Sequence, residues 1–216
     1  MVRNEVRKFI LDNTRAISPV LCPEMKLRLI TDECALWKAG GNDLKTMGLP
    51  DPYWGFAWAG GQALARLILD NPQVVLGKRV VDFGAGCGIE LVAAMMAGAS
   101  HGMAADIDDY AAEASLLNAE INNVTVQATT EDMTGNDAQG FDVLLAGDMF
   151  YDPAFSRRVI EWLKLLSASG VAVYLGDPNR GNLQGTGMTL VGTYMSPADV
   201  DVAGRYLRET KVFRIG

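Results

Sequence analysis

The sequence predicts an α/β protein organised around a mostly parallel sheet, and three observations carry that expectation. A short β-branched run, Val80 and Val81, ends in Asp82 and Phe83 and leads into glycines at alternate positions, Gly84, Gly86 and Gly88. Ile89 to Ala97 then has helical composition and stops at Gly98, and a second strand, His101 to Ala105, ends on Asp106. Farther on, Phe141 to Ala146 is almost wholly apolar, as a central parallel strand covered on both faces must be. Strand, glycine loop, helix, strand and acid form half of a nucleotide-binding α/β unit.

The remaining elements follow in chain order. Residues 1–13, MVRNEVRKFILDN, are amphipathic with both signs of charge and read as a structured N-terminal helix, not a secretory signal. Ser18-Pro19 and Cys22-Pro23 break the chain, and Met25 to Ile30 alternates as a short accessory strand would. Gly40-Gly41-Asn42-Asp43 and Pro50-Asp51-Pro52 mark loops. A helix is expected from Ala57 to Asn71, with Tyr53, Trp54, Phe56 and Trp58 crowded before Gly60-Gly61. Asp109 to Asn122 is helical and Val124 to Val126 a short strand, followed by the polar turn at Thr129 to Asp132. Asp152 and Pro153 suit the cap and first turn of a helix running to about Ser167. Val171 to Leu175 is the next strand, and Leu190 to Met195 and Tyr206 to Ile215 close the sheet across a polar loop. The economical division is an N-terminal extension, residues 1–52, packed on a single globular unit, residues 53–216.

Composition limits the function classes. With 216 residues, 49% hydrophobic and 21% charged, the chain supports one domain with a sizeable core. No apolar run approaches the roughly 20 residues of a membrane span, so no membrane role is expected. Cys22, Cys34 and Cys87 lack paired spacing and His101 is the single histidine, so no metal site is expected. A net charge of −7 without a basic footprint argues against nucleic acid and mildly favours a lysine-bearing partner. A cytoplasmic monomer is the expected setting.

The glycine spacing selects the ligand. A dinucleotide loop wants a third glycine or alanine where this chain has Ile89. The pattern acid-x-G-x-G-x-G instead resembles the S-adenosylmethionine (SAM) loop of the seven-stranded methyltransferases. Gly84, Gly86 and Gly88 let the backbone approach a zwitterionic methionyl group, Asp82 is placed to take its ammonium, and Asp106 to accept both ribose hydroxyls. Asp132 beside adenine could accept the N6 hydrogen, or be a solvated loop acid. Trp58 reads as a lid on the cofactor. Trp54 is either part of an aromatic cap or a wall of the substrate channel. Asp148 and Tyr151 fall beyond the carboxyl end of the central strand, where ligands bind in such sheets.

Taken together, PYWGFAWAGGQALARLILDNP, VVDFGAGCG, the acid of AADID, GDMFYD and GDPNR resemble the lysine methyltransferases of the electron transfer flavoprotein β subunit. The resemblance covers about Tyr53 to Arg180. It implies a seven-stranded Rossmann-like SAM-methyltransferase fold with an antiparallel last strand, SAM as cofactor, and that flavoprotein subunit as the protein substrate. It also implies SAM contacts from Trp58, Asp82, Gly84, Asp106 and Asp132. Asp148 and Tyr151 would then lie at a lysine channel shaped in part by Phe150. Only a neutral amine attacks the sulfonium methyl, so the channel must lower a lysine pKa of about 10.4. An aspartate opposes that loss of a proton, so Asp148 is expected to orient the amine, not to act as a base.

Three rivals compete with this reading. A nucleobase or free amino acid acceptor fits poorly, because Asp148-Met149-Phe150-Tyr151 lacks the prolines of base methyltransferases. A non-catalytic SAM-binding protein leaves GDMFYD unexplained. A nicotinamide-linked oxidoreductase is disfavoured by the glycine spacing. Acceptance by another protein lysine, for example on a ribosomal protein, is the nearest alternative.

Overall fold

A computed structural model describes residues 3–39, 41–46, 48–183, 187–198 and 204–216. Its centre is a seven-stranded sheet. In chain order the strands of the molecule are β1 (Arg15–Ile17), β2 (Leu27–Leu29), β3 (Arg79–Phe83), β4 (His101–Ala105), β5 (Gln127–Thr129), β6 (Val143–Gly147), β7 (Ala172–Asp177), β8 (Met188–Pro197) and β9 (Leu207–Ile215). The large sheet has the order β5-β4-β3-β6-β7-β9-β8, and only the pairs made by β9 are antiparallel. The chain winds outward from β3 to one side and then restarts at β6 on the other. A crevice therefore opens between the carboxyl ends of β3 and β6, the switch point at which such sheets bind ligands.

The helices are α1 (Arg3–Asn13), α2 (Ala35–Lys38), α3 (Gly41–Thr46), α4 (Ala59–Asp70), α5 (Ile89–Met96), α6 (Asp109–Ile121) and α7 (Pro153–Ala168). Strand side chains alternate faces with period two, and the burial pattern divides the core accordingly. Val80, Val143 and Leu145 pack with Leu64 and Ile68 of α4 and Leu91 and Val92 of α5. Their sequence neighbours Val81, Leu144 and Ala146 pack on the opposite face with Val159, Leu163 and Leu166 of α7. Both faces of the central strands are thus covered, which explains their unbroken apolar sequence.

Residues of the N-terminal segment form a third cluster, in which Val6 and Ile10 of α1, Ile30 and Trp54 meet Tyr110, Ala114 and Leu117 of α6. Arg3 and Arg7 reach Glu113 of α6 at 2.8 and 2.9 Å, and Glu113 is itself buried. Removing either arginine strips partners from a buried carboxylate, so the pairs fix α1 against α6.

Several boundaries differ from the sequence expectation. The strand expected at Val124–Val126 lies at Gln127–Thr129. Asn123 turns left-handed (φ 58) and Val124 donates back to Ala119, so the end of α6 consumes residues that would otherwise pair with β4. Gly41 to Asp43 belong to the short helix α3 and not to a loop; Gly40 lies outside the described residues, as does the polar segment 199–203. Helix α4 begins at Ala59, because Trp58 is its extended N-cap residue. Strand β1, which no pattern announced, pairs antiparallel with β2.

Candidate active site

The loop after β3 is held open by backbone geometry. Gly84, Gly86 and Gly88 have φ of 72°, 52° and 72°, a region that side chains disfavour. The amides of Gly84 and Ala85 donate to Ala105 O at 2.8 and 3.3 Å, which ties the loop to the end of β4. A Cβ on Gly86 would meet only Gly84 O, 3.9 Å away, so the backbone here faces open space. Gly88 has a different task. A Cβ there would lie 2.8 Å from Ser115 Oγ, so Gly88 allows α5 to pack on α6 and does not face the loop's open side. Met149 covers Gly84, its sulfur lying 2.1 Å from where a Cβ would stand.

Asp106 closes this cradle. Its Oδ2 accepts from Gly86 N at 2.9 Å and its Oδ1 from Asp108 N at 3.0 Å. Each oxygen keeps a lone pair, the acceptor set that a vicinal diol requires. Burial raises its pKa, while the Gly86 and Asp108 amides pull the other way. An open glycine backbone beside a half-buried carboxylate with two spare acceptor sites fits the adenosyl and methionyl parts of SAM.

Asp82 does not meet its expectation. It is 1% exposed, lies beneath the loop, accepts from Leu91 N at 3.3 Å and faces Glu90, so it is not presented to a ligand on the open side. Burial pushes its pKa up to about 7, and burial with the neighbouring Asp82 charge holds Glu90 well above the carboxylate range. Two carboxyl groups buried face to face cannot both ionise cheaply, so the pair retains a proton. Room for Glu90 is made by Gly147, where a Cβ would stand 2.0 Å from its Oε1. An acid at the start of the otherwise apolar run IELVAAMM was the available signal for this pair. Asp132 is exposed at the end of the β5 turn, where hydrogen bonds from the Thr134 hydroxyl and then from Thr134 N, at 2.9 Å, hold its pKa low.

At the end of β6, Asp148 adopts φ 57° and is 9% exposed. Its Oδ2 accepts from the first amides of α4, those of Gly60 and Gly61, the latter at 3.3 Å. Its Oδ1 accepts from Arg180 Nε at 3.1 Å and Nη2 at 2.7 Å. Burial raises the Asp148 pKa and Arg180 lowers it. Arg180 also lies over the Trp58 ring, 5.9 Å from its centroid, within the range of a cation–π contact. Trp58 Nε1 donates to Tyr53 O at 2.9 Å. Tyr151 is 64% exposed and stacks on Phe155 at 6.0 Å, with Asp106 and Tyr53 near its hydroxyl. The loops after β6 and β7 are joined by Asn182 Nδ2 donating to Phe150 O at 3.0 Å.

Asp148, Trp58, Tyr151 and Asp106 therefore gather around one crevice, with Arg180 added by the structure. Two expected substrate contacts do not join them. Trp54 is 2% exposed and stacks on Tyr110 at 5.7 Å in the N-terminal cluster. Phe150 is fully buried against α7. Both are apolar anchors drawn inward by burial, not walls of a channel. The Arg of GDPNR, at a strand's carboxyl end, was the signal for Arg180.

A sheet of order β5-β4-β3-β6-β7-β9-β8 with a glycine cradle and diol-accepting acid at its switch point defines a SAM-dependent methyltransferase of the Rossmann-like class. The family model Ribosomal protein L11 methyltransferase (PrmA) matches residues 63–149. The crystal structure of ribosomal protein L11 methylase from Lactobacillus delbrueckii subsp. bulgaricus superposes with a TM-score of 0.51 at 20% identity, over 74% of this chain and 81% of that one, which supports the fold. The electron transfer flavoprotein beta subunit lysine methyltransferase of Xenopus laevis is 44% identical over 81% of this chain and 70% of its own length. That of Danio rerio is 41% identical over 84% and 70%. The chain belongs to the electron transfer flavoprotein β-subunit lysine methyltransferase family.

Proposed function

We propose that this enzyme methylates a lysine side chain of the electron transfer flavoprotein β subunit. The supporting observation is the 44% identity to a relative so named, extending across both the cofactor crevice and the Asp148 end of the sheet. The PrmA match ends at residue 149 and so speaks for the cofactor half more than for the acceptor. A monomer in the cytoplasm, making no use of nucleic acid or membrane, belongs to the same reading and rests on composition.

When bound, SAM supplies the sulfonium methyl, which passes to the amine nitrogen as the carbon–sulfur bond breaks. The chain's own residues bind and aim. Asp106 and the Gly86 backbone take the ribose and the methionyl side of the cofactor. Asp148, clamped between the α4 amides and Arg180, is a paired carboxylate that fixes the shape and polarity of the acceptor end where the amine is aimed. Four N–H donors already occupy its lone pairs, so it takes no proton. The amine loses its proton to solvent before attack, helped by the apolar, aromatic approach between Trp58 and Tyr151. Holding the nucleophile in line is the enzyme's main contribution.

Incubation with labelled SAM and a lysate lacking the enzyme tests the assignment. Label is expected on a lysine of the flavoprotein subunit. Label confined to RNA or small molecules refutes it, and label on a ribosomal protein moves the acceptor to the PrmA side.

A further inference from the structure

The arginine of the GDPNR motif is paired with a buried carboxylate at the end of β6, Asp148. Nε and Nη2 of Arg180 both donate to Asp148 Oδ1, at 3.1 and 2.7 Å, while the α4 amides hold Oδ2. Asp148 is 9% exposed and Arg180 only 23%, so the pair sits in a medium where charge is weakly screened. An unopposed carboxylate here would attract a lysine as its ammonium, the form that cannot attack. We propose that Arg180 is a positioning residue that acts through Asp148: it cancels the Asp148 charge and locks the carboxylate, so that the acceptor amine is taken up neutral. This rests on the lysine-acceptor reading above and adds the device that reconciles an aspartate with a neutral nucleophile.

The surroundings are consistent with that role. Glu90, on α5, feels the Asp148 charge; burial first and then the Asp82 charge raise its pKa, and the proton shared with Asp82 leaves that pair one negative charge beneath the loop and not two. Asp177 on β7 lies near Arg180 and is in turn near Arg208, which limits how far it can draw Arg180 away. Trp58 covers the guanidinium from α4's N-cap position, favouring a cation fixed in place over a mobile one. With Asp148 paired to Arg180, the sulfonium of a bound cofactor would stand beside a neutral pair instead of an open carboxylate, which disfavours an ammonium there.

Arg180→Met and Arg180→Lys test the proposal in two arms. In the first, the cofactor-free protein with carbon-13-labelled aspartate is titrated by NMR. Arg180→Met is expected to move the Asp148 carboxyl midpoint to higher pH by about 1–3 pH units, the span an opposite charge at this distance imposes. In the second, kcat is followed against pH at saturating acceptor and SAM. The acidic limb, which reports deprotonation of the bound amine, is expected to move to higher pH by a similar amount in Arg180→Met. Arg180→Lys, which keeps the charge but loses the fork, should leave that limb in place and lower only its height. An unchanged limb in Arg180→Met overturns the proposal, whether or not the midpoint moves. If wild type labels no lysine while the midpoint still moves, the acceptor assignment falls and the hold of Arg180 on Asp148 stands.

Discussion

Replacing Asp148 by Asn tests how the two halves of the site are joined. The aspartate accepts two N–H bonds from the α4 terminus and two from Arg180. Asn offers one oxygen, and its amide nitrogen must then face donors. The Gly60 and Gly61 amides are buried and have no solvent to turn to, whereas Arg180 is 23% exposed and can hydrate. The oxygen should therefore stay on α4, and the Arg180 contacts are given up. Losing a charge-assisted hydrogen bond of this kind costs about 1.5–3 kcal/mol. Urea unfolding of the cofactor-free protein at neutral pH, extrapolated linearly, measures the loss. Turnover should fall by on the order of 100-fold, since a nucleophile misplaced by about 1 Å loses that much. SAM affinity should remain within a few-fold, because Asp106 and the glycine loop are untouched. A variant as stable as wild type to within about 0.5 kcal/mol, or one that cannot bind SAM, would refute this reasoning.

The remaining predictions address the other acids and the core. Burial raises the Asp82 pKa to about 7 and raises that of Glu90 as well. The folded state thus holds protons that the unfolded chain releases at about pH 4, so the pair's stabilising share is present at low pH and is lost as pH rises toward about 7. Glu90→Gln, whose amide can donate to ionised Asp82, should gain stability over wild type between about pH 5 and about pH 8 in the same unfolding assay; a constant difference contradicts the shared proton. Asp106→Ala should weaken SAM binding by about 1.5–3 kcal/mol in calorimetry, and unchanged affinity would remove it from the ribose. Trp54→Ala should cost about 3–5 kcal/mol of stability, and Trp54→Phe should leave the KM for the acceptor unchanged in steady-state assays; a raised KM would return Trp54 to the substrate.

The fold was legible because its signals are local. Apolar runs, glycines and caps placed β3, β4, β6, α5 and α7 within a residue or two, and Asp152 caps α7 by accepting from Phe155 N at 2.7 Å. β5 slipped because its register depends on how α6 ends, which the asparagines at 122 and 123 decide through a backbone turn. At the site, position along the chain sufficed to place Asp106 and Asp148 just beyond the carboxyl ends of β4 and β6. Partnerships across long sequence separations were not readable. Nothing local says that Asp148 meets Arg180 and the amides of α4, or that Glu90 shelters against Asp82. Trp54 and Phe150 misled because an aromatic beside a glycine pair or a strand end suits a channel and a core equally; only the packing of α1 and α7 decides.

Transfer of the SAM methyl to a lysine nitrogen on the electron transfer flavoprotein β subunit is the proposed reaction. Purified enzyme, purified β subunit and SAM, followed by peptide mass spectrometry, test it most directly. One or more methyl groups are expected on lysine in the β subunit, greatly reduced with Asp148→Asn at saturating SAM. An unmodified β subunit, with SAM bound and wild-type enzyme folded, would contradict it.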